Sequence, residues 1–74
     1  MAQMVDYKGE LIRIHEGNIE FSENEGITWE KRSEAHYNGD SFTDLVNNGN
    51  ELLAFTESGE ACFSKDYGQT WTLR

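Results

Sequence analysis

A chain of 74 residues is one small domain, with limited apolar surface to bury. Its 14 Asp and Glu against 6 Lys and Arg give a net charge of −8, a field that repels phosphate, so nucleic acid and anionic membrane surfaces are excluded as natural partners. One cysteine, Cys62, excludes an intrachain disulfide framework, and nine aromatic residues argue against a fully disordered chain.

The N-terminus, "MAQMVDYKGE", has no basic region followed by an apolar run, so no signal peptide is visible. No apolar stretch approaches the ~20 residues that cross a bilayer as a helix. A cytoplasmic protein is expected, with carriage in a phage or virion as the other location. Strand signals then follow one another. Met4 to Tyr7 reads as a strand, Lys8-Gly9 as a turn, "ELIRIHE" (residues 10–16) as a strand, Gly17-Asn18 as a turn, and residues 19–22 as a strand. A polar loop from Ser22 to Trp29 leads into a short fourth strand. Asn38-Gly39 marks a turn between this half and the next. The second half repeats the order: residues 42–46, a turn at Asn47 to Asn50, "ELLAFTE" (51–57), a turn at Ser58 to Glu60, residues 61–64, a loop from Ser64 to Trp71, and a final strand beginning at Thr70-Trp71. Pro is absent and no segment carries a 3.6-residue apolar period. The run Leu52-Leu53-Ala54-Phe55 predicts a central strand buried on both faces.

The two halves align with a single gap, placed in a turn. "ELIRIHE" lies over "ELLAFTE", Ile19-Glu20-Phe21-Ser22 over Ala61-Cys62-Phe63-Ser64, and "SENEGITWEKR" over "SKDYGQTWTLR". The Ser anchors are 42 residues apart, a spacing that belongs to architectures with one sheet-like unit per repeat. The expected fold is all-β: two four-stranded antiparallel units, at about residues 1–35 and 36–74, within a single domain.

Ser64-x-Asp66-x-Gly68-x-Thr70-Trp71 resembles the Asp-box, the bacterial neuraminidase repeat, at every position of the motif. Ser22-x-Asn24-x-Gly26-x-Thr28-Trp29 resembles it with Asn in place of Asp. The resemblance covers essentially the whole chain. It implies a sialidase-like β-propeller, each box lying between the third and fourth strands of a blade. The box residues are expected to be structural. The glycines permit positive φ, Asp66 or Asn24 and the two serines accept backbone N–H bonds, and each indole packs over its loop. Asn24 keeps an acceptor without the charge, so the first loop is expected to be held less firmly.

Sialidase chemistry, as the resemblance implies it, needs several converging Arg, a Tyr nucleophile with a Glu partner and an Asp acid/base. The chain has three Arg. Arg32 and Arg74 follow the boxes at equivalent places and read as surface positions. Arg13 lies in a central strand, where symmetric copies would give an anion site on a ring axis. His15 and His36 lack metal-site spacing, the Glu23-Asn24-Glu25 run lacks the order of a Ca²⁺ loop, and Cys62 reads as a buried thiol, so no cofactor or metal is expected. No catalytic residue is assigned. Arg13, Tyr37 and Tyr67 are the candidate binding residues, the tyrosines as loop aromatics for sugar rings. Two blades leave an apolar face at each end, so a homo-oligomer is expected, a trimer supplying six blades. A monomeric two-sheet sandwich is the alternative fold. The expected function is a non-enzymatic structural or binding module with a glycan or protein ligand. A hydrolase-like site on the oligomer axis is the alternative.

Overall fold

The computed structural model describes residues 3–74, which form two antiparallel sheets and no helix. The first sheet contains β1 (Met4–Tyr7), β2 (Glu10–His15), β3 (Asn18–Ser22) and β4 (Glu30–Glu34), in that order. The second contains β5 (His36–Tyr37), β6 (Asp40–Asn47), β7 (Leu52–Thr56), β8 (Ala61–Ser64) and β9 (Thr72–Leu73), again in chain order. Each sheet is a meander of short connections. Three of these are two-residue hairpins with both residues at positive φ: Lys8-Gly9 (50° and 90°), Glu16-Gly17 (51° and 77°) and Asn38-Gly39 (55° and 84°). That geometry is the type I′ turn, whose twist matches the twist of paired strands.

Strand pairing in the two sheets shares one register. Val5 opposes Ile12 as Val46 opposes Leu53. Leu11 opposes Ser22 as Leu52 opposes Ser64, and Ile12 opposes Phe21 as Leu53 opposes Phe63. Directly opposed residues project from the same face of a sheet, and alternate residues share a face. The first sheet therefore has one face bearing Val5, Ile12, Ile14, Ile19 and Phe21, and another bearing Met4, Leu11, Arg13, Glu20 and Ser22.

The two sheets pack face to face, but with unlike faces. Tyr7, Ile12 and Ile19 of the first sheet are fully buried, as are Leu52, Ala54 and Cys62 of the second. The second sheet thus buries the face carrying its own Ser-to-Trp loop, whereas the first buries the face opposite its loop. Trp71, partly buried, packs against the resulting core, edge-on to Phe42 with ring centroids 4.9 Å apart. Trp29 lies on the outer side, under Arg13. Across the seam, Asn47 donates to the Asp6 carbonyl (2.7 Å) and Gln3 to the Thr43 carbonyl (3.3 Å), tying β1 to β6.

Four sequence expectations are corrected here. The second sheet gains a fifth strand, β5, because Asn38-Gly39 closes a hairpin inside that sheet rather than separating the halves. β7 is buried on one face only: Leu52 and Ala54 are buried while Leu53 and Phe55 are half-exposed, since a single partner sheet covers a single face. The second turn is Glu16-Gly17 rather than Gly17-Asn18, with Asn18 already paired to His15. Finally, Thr70 and Trp71 precede β9 rather than begin it, because Thr70 is held in the loop by Asp66.

The indole Nε1–H of Trp71 is buried with no acceptor among the described residues. Its contribution is therefore packing alone. Trp71→Ala is expected to cost about 3 kcal/mol as a large truncation, and Trp71→Phe markedly less, because no hydrogen bond is lost. Thermal unfolding followed by far-UV circular dichroism checks both. An alanine variant melting within a degree or two of the parent would contradict the assignment of Trp71 to the core.

Candidate functional site

The most organised polar structure lies in the two loops at residues 22–29 and 64–71. In the second loop the Ser64 hydroxyl, 1% exposed, accepts the N–H groups of Gly68 (2.9 Å) and Asp66 (3.3 Å) and donates to Asp66 Oδ1 (2.6 Å). Asp66 Oδ1 also accepts the Thr70 N–H (2.9 Å), and Oδ2 accepts the Thr70 hydroxyl (2.5 Å). The first loop repeats this arrangement. Ser22 Oγ accepts from Gly26 (2.8 Å) and Asn24 (3.3 Å) and donates to Asn24 Oδ1 (2.7 Å), which accepts the Thr28 N–H (2.9 Å). One bond reverses direction: the Asn24 amide donates to Thr28 Oγ1 (2.8 Å), where in the second loop the threonine hydroxyl donates to the acid.

The electrostatics of the two loops differ accordingly. Burial pushes the Asp66 carboxyl up. Hydrogen bonds from Ser64, from the Thr70 hydroxyl and from the Thr70 N–H outweigh it, and the carboxyl is held below its ordinary value. Asn24 does not titrate.

Gly68 is the residue on which the loop meets the other sheet. Its φ is +92°, and a Cβ there would lie 3.3 Å from Ile19 Cγ2 and 3.6 Å from the Trp71 ring. Ser33 Oγ donates to the Gly68 carbonyl at 2.6 Å, and Arg32 Nη1 donates to the Tyr67 carbonyl at 2.9 Å. Arg32 is thus no surface residue. Its side chain is 12% exposed, paired with Glu10 at 2.7 Å and stacked 3.7 Å from the Phe21 ring centre. Arg74 repeats the arrangement within the second sheet, paired with Glu51 and stacked 5.3 Å from the Phe63 ring centre, yet its side chain is 48% exposed. The sequence contained the signal for these two clamps. Glu10 opens β2 and Glu51 immediately precedes the equivalent β7, and Arg32 and Arg74 stand at equivalent places after the loops.

The three candidate binding residues do not converge. Arg13 lies on the outer face of the first sheet, bonded through Nε to Glu20 Oε1 (2.9 Å), with its guanidinium 4.1 Å from the Trp29 ring centre. Tyr67 packs edge-on to Tyr7 at 5.3 Å between the sheets. Tyr37 lies in β5 rather than in a loop, half-buried against the core. A shallow hollow of about 300 Å³ on the first sheet is lined by Asp6, Glu10, Glu23 and Glu25 beside Leu11 and Ser22, a surface that repels anionic ligands. Among the described residues no three His, Cys, Asp or Glu side chains are grouped to hold a metal ion. Cys62 is fully buried, and burial, together with Glu60 and Asp40, pushes its thiol up, so the thiolate is disfavoured.

Comparison with family models, with curated proteins and with solved structures found no match to this chain.

Two outcomes test the loops. Ser64→Ala is expected to cost about 1–3 kcal/mol in denaturant unfolding, since it leaves buried N–H donors unpaired. Asp66 has a lowered folded-state value, so its contribution is present above the unfolded value of 3.8 and is lost as pH falls through the lower folded one. Asp66→Asn should therefore lower stability at pH 7 and flatten its decline through this acid window. An unchanged acid profile would show that the carboxylate bonds do not stabilise the loop.

Proposed function

We propose that the chain is a non-enzymatic β-propeller module, built of two blades of the Asp-box type, that closes a ring with copies of itself and serves as a structural or binding scaffold. The observation that carries this reading is the unlike pairing of faces. In a two-sheet sandwich the sheets share one closed core. Here the loop-bearing face of one unit receives the opposite face of the other, a head-to-tail pairing of the kind that closes a ring where its rotation allows. It leaves a loop-bearing face open on the first sheet and its complement open on the second. The two loops share one hydrogen-bond pattern but for the reversed Asn24–Thr28 bond, and the two sheets share one register, as expected of two copies of one unit. Three chains would supply six blades.

The non-catalytic part rests on how the polar residues are spent. The loop Ser, Asp or Asn and Thr side chains bond one another and their own backbone. Arg13 bonds Glu20 and stacks on Trp29, which leaves its charge neutralised rather than offered to an anion. A glycan or protein ligand would then be sought on the rims of the assembled ring, not at a catalytic centre.

Light scattering behind a sizing column is expected to give the mass of three chains, and assays on generic sialosides are expected to give no turnover. A monomer at all concentrations would overturn the ring. Hydrolysis above background, lost in Arg13→Ala, would overturn the non-catalytic reading.

A further inference from the structure

The covered seam inside the chain serves as a template for the two faces left open, and the exposure of equivalent residues differs across it in one consistent way. Leu45 is 1% exposed under the first sheet, whereas Met4, which holds the same register position in the first sheet, is 53% exposed. Val5 is packed against the core, whereas its counterpart Val46 is 39% exposed. Arg32 is 12% exposed because it reaches across the seam to the carbonyl of Tyr67, whereas Arg74 is 48% exposed with the same Glu and Phe partners behind it. The residue equivalent to Tyr67 is Glu25.

We infer that the open face of the second sheet, with Val46, Leu53 and Phe63, docks on the open face of the first sheet of another copy, with Met4, Leu11 and Trp29, and that Arg74 of one copy donates to the Glu25 carbonyl of the next. This rests on the ring reading and specifies its contact. The occupant is a second copy, because the protein already contains the matching pair of surfaces in contact. Charge favours it further. The loop that Arg74 meets carries Glu23 and Glu25, where the loop that Arg32 meets carries Lys65 and Tyr67. The new contact thus pairs an arginine with an acidic loop. In the same loop Ile27 is 79% exposed, an apolar side chain where the second loop has Gln69. The interface is head-to-tail: each copy contributes one face to each of two neighbours.

Met4 and Val46 are exposed within the chain, so charged substitutions there spare its own core. Met4→Arg and Val46→Arg are each expected to give monomers with unchanged far-UV circular dichroism. Their equimolar mixture is expected to give a two-chain species and nothing larger, because the mixture restores one sound pair of faces. Arg74→Gln also breaks the pair with Glu51, so it is read by far-UV circular dichroism as well as by mass; the chain is expected to stay folded and the concentration at half-assembly to rise about tenfold or more. A parent oligomer that persists in both arginine variants, or a mixture that stays at the mass of one chain, would overturn this interface while leaving a ring formed by other contacts. A parent that is itself monomeric would overturn the interface and the ring together.

Discussion

The contact between Gly68 and Ile19 fixes how the two sheets meet. Gly68, at φ +92°, presents no side chain to the facing sheet, so Ile19 approaches the loop directly while Ser33 and Arg32 take the carbonyls on either side of that contact. The loop can lie flat there only because the Ser64 hydroxyl and the Asp66 carboxylate absorb its N–H groups from within. A loop of this polarity would otherwise bring unpaired donors into the core, each costing about 1–3 kcal/mol. The glycine, the internal hydrogen bonds and the indole beneath them therefore act as one unit: they turn a polar connection into a surface against which an apolar sheet can pack.

Divergence between the halves falls where the surroundings differ. Ala54 and Cys62 are enclosed between the sheets, and small uncharged side chains fit there. Their first-sheet counterparts, opposed in the same register, are Arg13 and Glu20 on the open face, joined as an ion pair with side chains 27% and 17% exposed. Such a pair is half desolvated already and covers Trp29 with its guanidinium plane. Further covering would cost less than burying two free charges, because each is neutralised by the other. The outer face of the first sheet is thus partly prepared for burial despite its polar composition.

Much of this was legible in the sequence. The strands, the hairpins at Lys8-Gly9 and in the 47–50 region, and the internal bonding of the loops followed from alternation, glycine placement and Ser/Asp chemistry. What escaped the sequence depended on how the sheets face each other. Nothing in Leu52-Leu53-Ala54-Phe55 says that only alternate residues meet a partner, because a run of apolar residues reads the same whether one or both faces are covered. The repeat carried a signal for the Arg32–Glu10 pair, but the reach of Arg32 to the Tyr67 carbonyl was hidden, because that carbonyl belongs to the other sheet, 35 residues away. Tyr37 was read as a loop residue because a two-residue strand is too short to show alternation.

Both sheets are meanders in which every strand pairs with its neighbour in sequence. Each pairing therefore closes a loop of only a few residues, except where the Ser-to-Trp loops intervene, and the entropy of closure is small at each step. Long-range order is concentrated in one event, the docking of the first sheet onto the loop face of the second. Rates of folding fall as contacts become more distant in sequence. In this chain the strands can zip locally, and the slow search is confined to bringing two preformed surfaces together.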